Sequence, residues 1–277
     1  MTWGDWGKKF STKEMTELMH HCLEQGITTF DHADIYGGYT TEADFGRAFN
    51  ESGIDRNGIQ LISKCGIQYE AETRDNRVKH YQYDADYIIW SAEQSLRHLQ
   101  TDYLDLLLLH RPSPLMAAEE VAKAFETLKD QGKIKSFGVS NFTPSQMELI
   151  GSTSGIAANQ IEFSLTQHEA MHDGTLDYMS LNRITAMSWS PLGVVFKEDT
   201  EQTRRIHRLL GSLIDKYDAT EDQLLLAWIL KHPTGIHPVI GTTTKQRISD
   251  AIKAIDIELD LQDWFQMLVA AQGHKVP

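Results

Sequence analysis

The chain has 277 residues, 39 Asp and Glu against 26 Lys and Arg, and a formal net charge of -13. That acidity argues against nucleic acid or an anionic membrane as a partner, since both need a basic face, and any site for a phosphorylated cofactor must be locally basic. Two cysteines, Cys22 and Cys65, make no disulfide framework. No apolar run approaches a membrane span and no basic-then-apolar leader is present, so a soluble, cytoplasmic monomer is the expectation.

Candidate elements alternate along the chain. Ser11 and Glu14 form a capping box ahead of a helix at Met15–Gln25. Strands follow at Thr28–Asp31 and Gln60–Lys64, and the stretch Gly66–Tyr83 reads as a long loop carrying Tyr69, Arg74, Arg77, Lys79, His80 and Tyr81. Asp84 opens a helix running through Arg97. The continuous apolar strand Leu104–His110 has the composition of a strand buried on both faces, which points to a parallel sheet covered by helices. Ser136–Ser140 is the next strand. Thr143 and Pro144 start a helix, proline being tolerated where no N–H is needed. Strands at Ala158–Phe163 and Thr185–Trp189 precede a helix at Leu224–Lys231, opened by Thr220 and Gln223, and Pro238–Gly241 is the last strand. Seven strands, with an eighth near Met1–Gly4, make an α/β (β/α)8 TIM barrel with parallel strands, the first of them short or truncated. The length suits one such barrel, so residues 1–277 are expected to be a single domain. No Gly-x-Gly-x-x-Gly follows a strand, which excludes the doubly wound dinucleotide fold.

Active sites of parallel barrels sit at the C-terminal strand ends. Asp31, Lys64 and His110 close three successive strands, and Tyr36 follows the first. Hydride addition to a carbonyl leaves an alkoxide that must be protonated. A tyrosine can be the acid, and a neighbouring ammonium lowers its pKa from about 10. Lys64 supplies the ammonium, Asp31 holds it charged, and His110 can hydrogen-bond the substrate oxygen.

Gly26-Ile27-Thr28-Thr29-Phe30-Asp31 through Tyr36, Glu42 and Gly46, then Leu61-Ile62-Ser63-Lys64, Tyr103-Leu104-Asp105-Leu106 to His110, and Lys135-Ser136-Phe137-Gly138-Val139-Ser140-Asn141-Phe142 resemble the signatures of the aldo-keto reductases. The match runs from Gly26 to about Asp250 and looks most like a bacterial branch of oxidoreductases in that family. The resemblance implies NADP(H)-dependent reduction of aldehydes or ketones, with the tetrad Asp31, Tyr36, Lys64 and His110 and with Tyr36 as general acid. It implies that Ser140, Asn141 and Gln160 bind the nicotinamide carboxamide, that Trp189 stacks on the ring where the family commonly has tyrosine, and that Ser190, Leu192 and Gly193 lie along the pyrophosphate. It places Gly241, Thr242, Lys245 and Arg247 at the adenosine phosphate, which favours NADP(H) over NAD(H). One departure stands out: the family's Glu-Asn pair is Asp250-Ala251 here.

Trp3, Trp6 and Tyr69 are candidates to line the substrate cleft, the alternative for both tryptophans being core aromatics. His20, His21 and Cys22 point different ways on a helix, and no metal site is expected there or at His168 and His172. Cys65 reads as a small apolar core residue. Two other functions fit the same residues: a Schiff-base lyase using Lys64, and a non-enzymatic NADPH-binding regulatory subunit.

Overall fold

The computed structural model describes residues 3–277. Met1 and Thr2, where the expected first strand would begin, lie outside the described residues. Trp3–Lys8 run as bends and turns rather than strand. The chain divides into two compact units, residues 1–159 with 241–245, and residues 160–240 with 246–277.

In the first unit, helix α1 (Thr12–Glu24) starts with the expected capping box: the Ser11 Oγ accepts from the Glu14 N–H, and Glu14 accepts from the Ser11 N–H at 2.8 Å. Strand β1 (Thr29–Asp31), the short turn α2 (Tyr36–Tyr39) and helix α3 (Thr41–Ser52) follow. Strand β2 (Gln60–Cys65) pairs in parallel with β1, Asp31 opposite Ile62. Two short strands, β3 (Ile67–Gln68) and β4 (His80–Tyr81), pair antiparallel and turn part of the expected loop into a hairpin. Helix α4 (Ala85–Leu99) is capped by the Asp84 carboxylate, which accepts from the Tyr87 N–H at 2.9 Å. Strand β5 (Leu104–Leu109) lies in parallel between β2 and β6 (Ile134–Ser140), with helix α5 (Ala118–Asp130) between β5 and β6 in sequence. Its Leu107, Leu108 and Leu109 are fully buried, as the apolar run requires. Helix α6 (Pro144–Gly151) begins at the Thr143 capping box with Gln146.

The second unit takes most of β7 (Ala158–Glu162), then helix α7 (Thr175–Leu181), strand β8 (Thr185–Trp189) and helices α8 (Glu201–Tyr217) and α9 (Glu221–Leu230). Strand β9 (His237–Pro238) pairs in parallel with β8. It is shorter and earlier than the expected Pro238–Gly241: Pro238 has no N–H to give, and the ladder ends where Val239 donates to the Ser188 carbonyl at 2.8 Å. Helices α10 (Lys245–Ile252) and α11 (Leu261–Gln272) complete the chain. Trp228 is the unit's core anchor. It stacks on Phe163 and Trp264, and the two indoles each donate to the other's backbone carbonyl.

Candidate active site

Parallel register in the first unit brings the ends of β1, β2 and β5 to one edge. Asp31 closes β1, and Lys64 is the last residue but one of β2. Lys64 is 1% exposed, yet its three ammonium hydrogens have three acceptors: Asp31 Oδ2 at 2.7 Å, the His32 carbonyl at 2.7 Å and the Tyr36 hydroxyl at 3.4 Å. Burial alone would discharge a lysine. Here the Asp31 carboxylate, with the phenol, overcomes burial and holds the Lys64 pKa above its usual value.

The Tyr36 phenol feels opposing influences. Burial raises its pKa and the Lys64 charge lowers it, and burial wins. The ammonium acts in the expected direction, lowering the phenol's pKa, but burial outweighs it and the net shift is upward. A phenol that keeps its proton is a donor. His110 follows β5 and is 9% exposed, its ring 6.0 Å from that of Tyr36 and nearly perpendicular to it. Burial, then the Lys64 and Arg111 charges, hold its pKa well below the ordinary histidine value, so it is a neutral imidazole. Its Nδ1 is buried and makes no hydrogen bond.

The turn carrying Tyr36 is built from the left-handed region: Gly37, Gly38 and Tyr39 have φ of 62°, 70° and 69°. A side chain at Gly37 would put its Cβ 2.4 Å from the Thr41 hydroxyl, so both the angle and the space demand glycine. Tyr39 has no such licence, and a bulky residue there costs on the order of 1–3 kcal/mol. A second buried group sits close by and was not singled out in the sequence. Asp34 is 7% exposed and accepts from the Ser91 hydroxyl at 3.2 Å, while Glu42 accepts from the Ser63 hydroxyl. Burial, reinforced by Glu42, pushes the Asp34 pKa up to about 8. Nothing in the spacing of Asp31 and Asp34 marks one as a charged partner and the other as a neutral acid.

The two tryptophans part company. Trp3 is buried, its ring 6.2 Å from Phe30 and 6.1 Å from Phe45, and it takes the core-aromatic alternative. Trp6 is 56% exposed, 6.4 Å from the Tyr36 ring and 5.9 Å from Tyr69. Cys65 is buried, as a core residue should be.

Of the cofactor candidates, the first unit holds buried Ser140 at the end of β6 and Asn141 at φ 62°, whose side-chain amide donates to the Ser140 hydroxyl at 2.8 Å. It also holds Gly241, Thr242 and Lys245. A Cβ on exposed Gly241 would meet nothing within 4 Å. The Lys245 ammonium lies 3.6 Å from Glu17, both about half exposed. In the second unit Gln160 is buried on β7, Trp189 ends β8, and Ser190 and Gly193 adopt φ of 51° and 54°. Gly193 and Ser190 close a tight turn that includes Leu192, the Gly193 N–H donating to the Ser190 carbonyl at 2.8 Å. Arg247 is exposed on α10. Asp250, the departure noted above, accepts from Gln246 at 3.1 Å and Lys253 at 2.9 Å.

Residues 1–269 match the model of the Aldo/keto reductase family. The chain is 42% identical to the oxidoreductase YdhF of Escherichia coli (strain K12), over 99% of this chain and 92% of the relative. It is also 42% identical to a 6-dehydroglucose reductase of Agrobacterium fabrum, over 92% and 86%. Among solved structures, the thermostable aldo-keto reductase Tm1743 in complex with the inhibitor epalrestat superposes with a TM-score of 0.81 at 28% identity, covering 97% of this chain and 93% of that one. An aldo/keto reductase from Klebsiella pneumoniae in complex with NADP and acetate gives 0.78 at 25%, covering 92% and 84%. The fold is therefore the α/β (β/α)8 barrel expected from the sequence, with seven parallel main strands among the described residues.

Proposed function

We propose that this chain, which belongs to the aldo/keto reductase family, is an NADP(H)-dependent oxidoreductase that reduces aldehyde or ketone groups to alcohols, with Tyr36 as the general acid. The observation that carries the reading is the buried Lys64 ammonium shared by the Asp31 carboxylate and the Tyr36 hydroxyl. When bound, the nicotinamide supplies the hydride that reaches the carbonyl carbon. The neutral His110 ring donates a hydrogen bond to the carbonyl oxygen and orients it, and Tyr36 gives its phenolic proton to the oxygen as negative charge builds there. Lys64 stabilises the phenolate left behind, and Asp31 keeps Lys64 charged throughout.

Ser140 and Asn141 in the first unit and Gln160 in the second supply amide and hydroxyl groups suited to a carboxamide, and Trp189 offers a π face for the ring. Ser190, Leu192 and Gly193 suit the pyrophosphate. Gly241, the Thr242 hydroxyl and the cations Lys245 and Arg247 suit a phosphate. The Klebsiella relative's complex with NADP supports the same cofactor here. The Agrobacterium relative's name makes an oxidised hexose the first carbonyl compound to try. Trp6, whose ring is 6.4 Å from that of Tyr36, and Tyr69, whose ring is 5.9 Å from that of Trp6, are the candidates to touch it.

The lysine argues against Schiff-base chemistry, because an ammonium held charged by three acceptors is not a nucleophile. The test is NADPH oxidation followed over a panel of aldehydes, ketones and oxidised hexoses. Turnover by the wild type and a drop of about 10²- to 10⁴-fold in kcat for Tyr36→Phe are expected. Full activity in Tyr36→Phe would remove the tyrosine from its role. Tight NADPH binding without turnover on any carbonyl would favour the regulatory subunit.

A further inference from the structure

The strained turn after Tyr36 needs something to hold it, and the segment after β2 does so at several points. The Tyr69 hydroxyl donates to the Ile35 carbonyl at 3.1 Å, and the Thr73 hydroxyl donates to the Gly38 carbonyl at 3.1 Å. The Tyr39 hydroxyl donates to the Ile67 carbonyl and accepts from the Tyr69 N–H, both at 3.4 Å. The Tyr39 and Tyr69 rings stack, 15° from parallel with centroids 5.2 Å apart. The Arg74 guanidinium carbon sits 4.4 Å from the Tyr39 ring centre and 4.8 Å from that of Trp90 on α4. Its Nε is buried and makes no hydrogen bond, its guanidinium lies over the two rings, and its charge also acts on the Asp34 carboxyl, lowering that group's pKa against burial. The segment is itself tied down: the Gln68 amide donates to the Tyr87 hydroxyl of α4, and the Asn76 amide donates to the Tyr69 carbonyl at 3.1 Å.

We propose that Arg74 is a positioning residue for the reaction: packed between Tyr39 and Trp90, it pins the left-handed turn to α4 and so aims the Tyr36 hydroxyl at Lys64. The inference rests on the reading of Tyr36 as proton donor. At 3.4 Å, the Lys64 to Tyr36 contact is longer than an ordinary N–H···O bond, so a small slip of the turn breaks it. A displacement of about 1 Å at a reacting group is enough to cost about 10²-fold in rate. The exposed cations of the same segment, Arg77 and Lys79, face solvent. Arg74 is distinguished from them by its two aromatic partners.

The experiment compares wild type, Arg74→Met, Arg74→Lys and Tyr36→Phe in NADPH-dependent reduction and in the reverse oxidation of the alcohol across pH. Arg74→Met should lower kcat roughly 10- to 100-fold, with the KM for NADPH changed less than about 2-fold and the thermal midpoint within a few degrees. In the oxidation direction Tyr36 must act as phenolate. A phenol moved away from Lys64 loses the attraction that lowers its pKa, so the acid limb of the profile should move to higher pH. Arg74→Lys, which keeps a cation against the rings, should recover part of the rate. Wild-type kcat and profile in Arg74→Met would overturn the inference, as would a fall in kcat matched by the folded fraction with the profile unmoved. Should Arg74→Met not fold, Thr73→Val removes only the hydrogen bond to Gly38. It should shift the profile the same way by a smaller amount, and no shift there overturns the idea. An inactive wild type or an active Tyr36→Phe sinks both this inference and the reading beneath it. An active wild type, a dead Tyr36→Phe and an unaffected Arg74→Met sink this inference alone.

Discussion

Two carboxyl groups three residues apart, partly buried Asp31 and buried Asp34, have opposite electrostatic roles. Asp31 faces the Lys64 ammonium. Asp34 faces Glu42 and the Ser91 hydroxyl, and with its pKa raised to about 8, burial being the first cause, it is neutral at pH 7. A carboxyl whose folded pKa lies above its unfolded value of about 3.9 binds more protons folded than unfolded between those limits. Folding stability therefore falls as pH rises through that window and levels off above about 8. Asp34→Asn cannot titrate and can still accept from Ser91. Its stability relative to wild type should rise with pH between about 4 and 8, by at most about 1.4 kcal/mol per pH unit. Urea midpoints of both proteins at pH 5, 6, 7 and 8 check this, and parallel curves would place the proton elsewhere. The sequence displayed Asp31, Lys64 and His110 because each ends an apolar strand where a polar residue stands out. Asp34 lies between Ala33 and Ile35 in the short connection after β1, where nothing tells a buried acid from a turn residue.

At the scale of elements, β5 shows what an apolar run conveys and what it hides. Its leucines announced a strand buried on both faces, but Asp105 in its second position breaks the run and has its own task. The carboxylate accepts from Arg56 at 2.7 Å, the Leu61 N–H at 2.9 Å and Lys135 at 2.8 Å, tying β5 to β2 and to the start of β6. Partial burial raises its pKa, but these three bonds outweigh it and the pKa is lowered. Asp105→Asn should destabilise the protein by about 1–3 kcal/mol. Because the folded pKa is depressed, the contribution is complete above the unfolded value and vanishes as pH falls through the folded one. The gap between variant and wild type should thus close in acid, and a gap independent of pH would mean that shape, not charge, is what Asp105 supplies. The caps at Ser11, Asp84, Thr143 and Thr220 were legible because each is a local side-chain-to-backbone exchange. The hairpin β3–β4 was not, since two-residue strands have no period. The end of β9 was misplaced because Val239 and Ile240 are apolar enough to extend a strand that Pro238 interrupts.

For the whole molecule, a net charge of -13 repels a polyanionic cofactor, so discrimination must come from a few local cations. Lys245 and Arg247 are the two we propose for the 2′-phosphate, the group that distinguishes NADPH from NADH. Lys245 already has an acidic neighbour in Glu17, at 3.6 Å and half exposed. An exposed pair of that kind is worth no more than about 1 kcal/mol, so a doubly charged phosphate displaces it at little cost. Titration with each nucleotide, followed by quenching of tryptophan emission, should give tighter binding of NADPH in the wild type. Lys245→Ala and Arg247→Ala should each weaken NADPH by about 10-fold, as befits loss of a charge-assisted hydrogen bond of about 1.5 kcal/mol. NADH affinity should stay the same, because it carries nothing for those cations to hold. Equal weakening of both nucleotides would move these residues to the pyrophosphate or the adenine, and an unchanged NADPH affinity would make α10's start an ordinary solvated turn. Raising salt from 50 to 300 mM should erode the preference for NADPH in the wild type and leave the weaker preference of the variants nearly flat, since screening acts on the extra phosphate's attraction only where a cation faces it.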